Sequence, residues 1–285
     1  ATLPGDQVYL MIRCSFCPHH CVLKEGGPPG RCRARACRQG RMVPLNYGQL
    51  TSLVLDPISK KPLACFHPGS RVLSVGGFGC NMDCYFCQND SISCAGEGEV
   101  PVRSMSPRAL CELALSLRDE DNIGVAFTYN EPLIGYEYVR DCARLLKEAG
   151  LCAVVVTNGC FCQEAVEPLF SLIDAWNIDL KGFTEGWYRR LGGDLETVKG
   201  FIMRAVQTAH VELTTLVVPG ENDSEQEMDS LARWIAALDP GMPLHLSRFF
   251  PRRNALDKPP TDRAHLLRLR EIAQRHLQRV YLGNV

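Results

Sequence analysis

From Arg71 onward, short apolar runs alternate with segments of helical length, and this alternation restricts the fold more than any other feature of the chain. The runs fall at 72–75, 125–129, 153–156, 175–178, 212–218 and 244–249, with a short last piece at 280–282. Helix-length segments lie between them, near 106–118, 135–149, 163–173, 197–208, 225–238 and 262–277. Strands and helices in strict succession build βα units around a parallel sheet. The runs are apolar almost throughout, as expected when helices or loops cover both faces. Two helix starts are well marked. Ser106-Pro107 offers a capping hydroxyl and a proline at the first helical position, and Asp223-Ser224 precedes the acids Glu225 and Glu227. The pattern predicts an α/β fold, an incomplete (β/α)6 TIM-like barrel over residues 71–285. Catalytic groups of such barrels gather at the C-terminal ends of the strands.

Residues 1–70 differ in kind. They are rich in Cys, Pro, Gly and Arg, with only short strand-like pieces such as Met42-Val43-Pro44-Leu45 and Leu53-Val54-Leu55. A small Cys-rich N-terminal domain of this composition buries little apolar area alone, so a metal or docking onto the barrel must order it. Lys and Arg number 31 against 32 Asp and Glu, a net charge of -1 that gives no bulk attraction to nucleic acid or anionic membrane. The local run Arg31, Arg33, Arg35, Arg38 and Arg41 reads first as a solvated surface. Fifteen cysteines, an odd number at close spacings, indicate metal sites and a reducing compartment rather than disulfides. Residues 1–12 show no charged segment followed by an apolar stretch, and no apolar run is long enough to cross a bilayer. A cytoplasmic location is the expectation.

The first strand of the barrel runs through Gly76 and Gly77 into Gly79-Cys80-Asn81-Met82-Asp83-Cys84-Tyr85-Phe86-Cys87-Gln88-Asn89. The spacing C-x3-C-x2-C offers three thiolates from one loop, one fewer than a four-iron cluster takes. One iron of a [4Fe-4S] cluster held by Cys80, Cys84 and Cys87 is then open to an outside ligand. It can bind the amino and carboxylate groups of S-adenosylmethionine and pass an electron to the sulfonium. A zinc knuckle with a distant fourth ligand is the bland alternative. The spacing, with Phe86 before the third cysteine, resembles the signature of the radical S-adenosylmethionine superfamily.

The later strand ends carry polar groups at the expected rim. Thr128-Tyr129-Asn130-Glu131-Pro132 stands where the superfamily often has a Gly-Gly-Glu-Pro turn. The resemblance makes Glu131 a contact for the cofactor ammonium, with Asn130 beside it, although Tyr129 and Asn130 replace the two glycines. Thr157 and Asn158 are cofactor-shell donors or an ordinary strand-ending turn. Asn177, Asp179 and Lys181 share one face of a strand, so Asp179 and Lys181 bind cofactor or substrate, or form a structural ion pair. His245 lies on an otherwise apolar strand and is either a cofactor contact or a satisfied core histidine.

Together these motifs resemble glycyl-radical-enzyme activating enzymes, the class that serves pyruvate formate-lyase. The match is closer to the radical enzyme of the AmmeMemoRadiSam system. It rests on Cys17-Pro18-His19-His20-Cys21, Gly30-Arg31-Cys32, Asp56-Pro57-Ile58-Ser59-Lys60-Lys61-Pro62-Leu63, Phe66-His67-Pro68-Gly69-Ser70, the cysteine loop and Tyr281-Leu282-Gly283-Asn284-Val285. Val156 departs from the activating enzymes, which tend to carry Asp before Thr-Asn-Gly. A C-terminal cysteine pair usual in the family is not in this sequence. The resemblance implies reductive cleavage of S-adenosylmethionine to a 5′-deoxyadenosyl radical that abstracts hydrogen from a substrate. A flavodoxin or ferredoxin would donate the electron, and proteins of the Memo and AMMECR families would be partners.

A second set, Cys14, Cys17, Cys21 and Cys32, has ligand-like spacing. Zinc is the first expectation because the segment needs a staple, a second iron–sulfur cluster the alternative, and reduced buried thiols the bland one. A zinc-stapled binding module without catalysis is the rival for the whole chain. It would be colourless, whereas a cluster-bearing protein is brown.

Overall fold

The computed structural model describes residues 11–285, so most of the segment on which the leader expectation rests lies outside the described residues. β1 (Met11–Arg13) pairs antiparallel with β2 (Val22–Lys24), and β3 (Arg35–Arg38) with β4 (Arg41–Pro44). Then come β5 (Gln49–Leu50), β6 (Ser52–Pro57) and β7 (Arg71–Gly76). The cysteine loop leads into α1 (Asp90–Ser93), and β8 (Arg103–Ser104) returns to pair with β5.

The alternating part follows: α2 (Pro107–Ser116), β9 (Asn122–Phe127), α3 (Tyr136–Glu148), β10 (Cys152–Thr157), α4 (Gln163–Val166) and β11 (Ala175–Asp179). It continues through α5 (Glu185–Arg190), α6 (Leu195–Ala205), β12 (His210–Val217), α7 (Glu225–Leu238), β13 (Leu244–Arg248), α8 (Arg263–Ala273) and β14 (Val280–Gly283). One eight-stranded sheet has the order β14-β13-β12-β11-β10-β9-β7-β6. Every neighbouring pair is parallel except β6–β7. β14 and β6 remain edges, so the barrel is open, as the βα count predicts. Among the described residues no helix is long and apolar enough to cross a membrane.

The helix starts follow their sequence signals. Ser106 accepts from the Ala109 amide and Ser224 from the Glu227 amide, each satisfying a donor left over in the first turn. The segment expected as a helix over 163–173 is instead a single turn, α4, followed by a 3-10 helix over Glu167–Ser171. Pro168 is the reason: it has no N–H to donate and its ring crowds the preceding turn. α5 was not foreseen. Its six residues are too few for a period to show, and it forms because Trp187 and Tyr188 are buried beneath it. Phe170, Trp176 and Phe201 make an aromatic cluster, with Trp176 meeting Phe201 edge-on at 5.3 Å. Each such side chain contributes about 2 kcal/mol through burial.

β6 carries the sheet back across the boundary expected at residue 70, since Leu53-Val54-Leu55 pairs with β7 rather than within the N-terminal segment. The chain leaving β6 crosses the N-terminal end of the barrel and floors it. The amides of Ala64 and Cys65 donate to Glu212, at 2.9 and 2.7 Å, and Asn177 donates to the Pro62 carbonyl. Glu212 is fully buried and also meets His210 at 2.9 Å and His245 at 2.6 Å. Burial pushes its carboxyl up, but those four hydrogen bonds outweigh burial and hold it down at about 2 against an ordinary 4.5.

Beside this floor, Lys61 is buried against Asp56 at 2.9 Å, and the Tyr129 hydroxyl donates to the same carboxylate at 2.8 Å. The Lys61 ammonium lies 4.6 Å from the centre of the Tyr129 ring. Tyr129 takes the left-handed conformation, φ 72°, that sends its side chain into the barrel.

Two outcomes follow for stability. Lys61→Met leaves Asp56 with only the exposed Lys60, at 3.2 Å, and the Tyr129 hydroxyl, and is expected to cost roughly 2 kcal/mol in anaerobic urea unfolding; a loss below about 0.5 kcal/mol would contradict the buried pair. Glu212 contributes fully above pH 4.5, and its contribution is lost as pH falls towards 2. Glu212→Gln should therefore flatten the acid limb of stability against pH by roughly 2 kcal/mol, and an unchanged acid limb would contradict the floor's role.

Candidate active site

The loop bearing Cys80, Cys84 and Cys87 leaves the C-terminal end of β7 and is braced from every side. Gly79 sits at φ +85°, with the Cys32 carbonyl 2.3 Å from where a β-carbon would be, so only glycine fits. The Gly79 amide donates to Ile92 at 2.9 Å and the Asp83 amide to Leu191 at 2.8 Å. Asn130 accepts from the Gly77 amide at 2.9 Å and donates to the Gly79 carbonyl at 3.1 Å. Arg253 donates to the Cys84 carbonyl and pairs with Asp83, at 2.8 and 2.7 Å. Phe86 stacks on Trp187 with centroids 5.8 Å apart, which explains the aromatic before the third cysteine and the presence of α5.

The three thiols are free, and two N–H donors already point at the Cys80 sulfur. The Met82 amide and the Asn158 side-chain amide approach the Cys80 sulfur at 3.4 and 3.7 Å, and the Ser93 hydroxyl lies 3.3 Å from that of Cys87. Burial pushes the Cys80 thiol well up, and Glu131 and Cys84 add to it. Burial takes Cys84 to about 11, against the pull of Lys181. The Cys80 and Cys84 thiols hold their protons until a metal displaces them. Among the described residues no three His, Cys, Asp or Glu side chains converge as they would on a single metal ion. Three soft sulfur donors, one of them with N–H groups directed at it, suit an iron–sulfur cluster, whose ligands are spread over several irons.

Behind the loop lies Glu131, 3% exposed. Its carboxylate accepts from the Leu133 amide at 3.0 Å, the Thr157 hydroxyl at 2.8 Å and the Asn158 amide at 2.8 Å. Burial pushes its carboxyl up to about 7 even though these donors pull the other way. Asn158 in turn donates to Asn81 at 2.8 Å. Asn81 was not singled out by sequence, because nothing in a cysteine loop distinguishes a bracing asparagine from a spacer. Asp179 and Lys181 pair at 2.9 Å at the end of β11. Burial works against the Lys181 charge, but Asp179 and Cys84 more than offset it and hold the ammonium above its usual range. The Lys181 amide donates to Tyr188, and Asn222 donates to the Lys181 carbonyl; sequence reading missed both partners.

The expected residues therefore divide. Asn130, Glu131, Thr157, Asn158, Asp179 and Lys181 gather at the strand ends around the cysteine loop. His245 does not. It is the second residue of β13, stacked on Tyr281 and bonded to Glu212 in the floor at the opposite end of the barrel. Its strand was read correctly, but its height along the strand was not visible in the alternation.

Cys14, Cys17, Cys21 and Cys32 come together in a different sense from the zinc expectation. All four line one pocket, yet they do not close on a single-ion site. The zinc reading has no support in that geometry.

The description "Radical SAM superfamily" matches residues 74–232, which span the cysteine loop and β7 to α7. An uncharacterised protein of Methanocaldococcus jannaschii is 36% identical over 96% of this chain and 81% of its own. The pyruvate formate-lyase-activating enzyme of Clostridium pasteurianum is 27% identical over 59% of this chain and 70% of its own. In fold, a radical SAM methyltransferase from Sphaerobacter thermophilus matches with a TM-score of 0.57 at 16% identity, over 76% of this chain and 67% of that one. On its cysteine loop, its open barrel and these relatives, the chain belongs to the radical SAM superfamily.

Proposed function

We propose that this protein cleaves S-adenosylmethionine reductively at a [4Fe-4S] cluster held by Cys80, Cys84 and Cys87. The observation that carries this reading is the braced three-thiol loop, with two N–H donors directed at the Cys80 sulfur. When bound, the cluster and its S-adenosylmethionine supply one-electron cleavage to a 5′-deoxyadenosyl radical, which takes hydrogen from a substrate. The chain's own residues supply the rest. Cys80, Cys84 and Cys87 ligate and leave one metal position without a protein ligand. Glu131, held between the ends of β9 and β10, presents negative charge for the methionine ammonium. Thr157 and Asn158 fix that carboxylate, while Asn130 holds the loop at Gly77 and Gly79. Asp179 and Lys181 form a charge pair that can bind the cofactor's hydroxyl and carboxylate groups. The barrel walls and the floor at Glu212 keep water out from below.

The Asp56–Lys61–Tyr129 cluster supports placement within the AmmeMemoRadiSam group, because it gives a physical use both to the Asp-Pro-x-x-Lys-Lys-Pro-Leu run and to Tyr129 in place of glycine. Memo-family and AMMECR-family proteins are then the proposed partners and a flavodoxin or ferredoxin the electron donor, in a reducing, cytoplasmic setting that suits fifteen free thiols. The likeness to the Clostridium pasteurianum enzyme favours a second reading of the substrate, a glycine on another protein. A doublet signal from a carbon-centred radical on that partner would separate this from action on a small molecule.

Anaerobic reconstitution with iron, sulfide, dithionite and S-adenosylmethionine, followed by mass spectrometry, should yield 5′-deoxyadenosine. Cys84→Ala should abolish the product, and persistence of cleavage in that variant would sink the assignment. Glu131→Gln preserves shape but removes the charge. It should raise the S-adenosylmethionine concentration for half-maximal cleavage about tenfold while iron content stays constant; an unchanged value would remove Glu131 from the ammonium site.

A further inference from the structure

The N-terminal segment contributes a second set of four thiols, and its surroundings are not those of inert core cysteines. Cys14, Cys17, Cys21 and Cys32 all line one pocket. The chain is shaped around it: the Cys14 amide bonds the Cys21 carbonyl at 2.8 Å, and His20 turns at φ 43° to donate to the Cys17 carbonyl at 3.2 Å. The Arg31 amide donates to the Cys21 sulfur at 3.5 Å. Arg35, only 2% exposed, also lines the cavity and carries a buried Nε with no hydrogen-bond partner. Its two terminal nitrogens are taken by Glu137 and the Ile134 carbonyl, and its guanidinium lies 3.8 Å from the centre of the Phe16 ring. A buried donor without an acceptor is costly, and one facing a four-thiol cavity is satisfied by an anionic group placed there.

We propose that this cavity holds a second iron–sulfur cluster, ligated by Cys14, Cys17, Cys21 and Cys32. Zinc would draw its four sulfurs onto one ion at Zn–S distances of about 2.3 Å, and these side chains do not converge in that way. Cys80, Cys84 and Cys87 likewise do not converge on a single ion. A cluster bound by four thiolates accepts hydrogen bonds at its sulfurs, for which the Arg31 amide and the unpartnered Arg35 Nε are donors, and its full complement of protein ligands leaves no iron for S-adenosylmethionine. The site abuts the first one. The Cys32 carbonyl packs on Gly79, and His19 bonds the Asn81 carbonyl at 2.8 Å, beside Cys80.

The test separates the two clusters. The triple variant Cys80→Ala, Cys84→Ala, Cys87→Ala, reconstituted anaerobically with iron and sulfide, should retain about four irons per chain. After dithionite reduction, its electron paramagnetic resonance signal should not change when S-adenosylmethionine is added. The complementary variant Cys17→Ala, Cys32→Ala should lose that signal, and the wild type should carry about eight irons. A triple variant with only background iron, in a wild type that saturates at about four irons, would overturn the proposal. So would one tightly held zinc per chain in the wild type. The wild-type iron count and the triple variant decide the matter even if the N-terminal variant fails to fold. Because this count does not depend on turnover, its failure is distinguishable from failure of the radical chemistry at Cys80, Cys84 and Cys87.

Discussion

A carboxylate shut away from water must find donors, and Glu131 finds its donors at the ends of two adjacent strands. Leu133 lies just past β9, and Thr157 and Asn158 close β10. That requirement locks the two strand ends together at one height, and Asn158 carries the lock to Asn81 and the Cys80 sulfur. The cysteine loop therefore sits on a rigid support rather than at the tip of a free loop. Rigid support matters because a site misplaced by an ångström loses much of its catalytic power. The same carboxylate is drawn towards neutrality by its burial, at about 7. An arriving cation would favour its charged form, so the structural clamp and the proposed binding role reinforce each other.

The opposite end of the barrel repeats the principle with another acid. Glu212 gathers the backbone of Ala64 and Cys65 and the rings of His210 and His245, and so turns the segment after β6 into a floor. Asp56 and Lys61 bind that floor to Tyr129, whose side chain reaches down from the rim. Tyr129, in the turn after β9, is thereby linked to a charged run more than sixty residues earlier. Rim and floor are coupled through one phenol.

The sequence disclosed the parallel sheet, its strand order of appearance and the cysteine loop because these depend on local pattern and spacing. Continuous apolar runs of strand length, separated by capped helical segments, leave little choice of architecture. Six of the seven proposed cofactor contacts fell at the rim for the same reason, since each followed the end of a strand. His245 failed because alternation gives the face of a residue but not its height. α5 was hidden because six residues show no period, and α4 stopped early at Pro168. The antiparallel edge β6 was assigned to the N-terminal segment because composition, not pairing, set the boundary there. Asn81, Tyr188 and Asn222 were invisible because bracing through backbone amides and carbonyls leaves no mark in a single sequence.

The central claim is that Cys80, Cys84 and Cys87 hold a cluster with one iron open to S-adenosylmethionine. The most direct measurement is the electron paramagnetic resonance spectrum of the reconstituted, dithionite-reduced protein with and without S-adenosylmethionine. The account predicts that the cofactor shifts a cluster signal, because it binds iron directly, and that the shift disappears in Cys84→Ala. A spectrum indifferent to S-adenosylmethionine in fully loaded protein would contradict it.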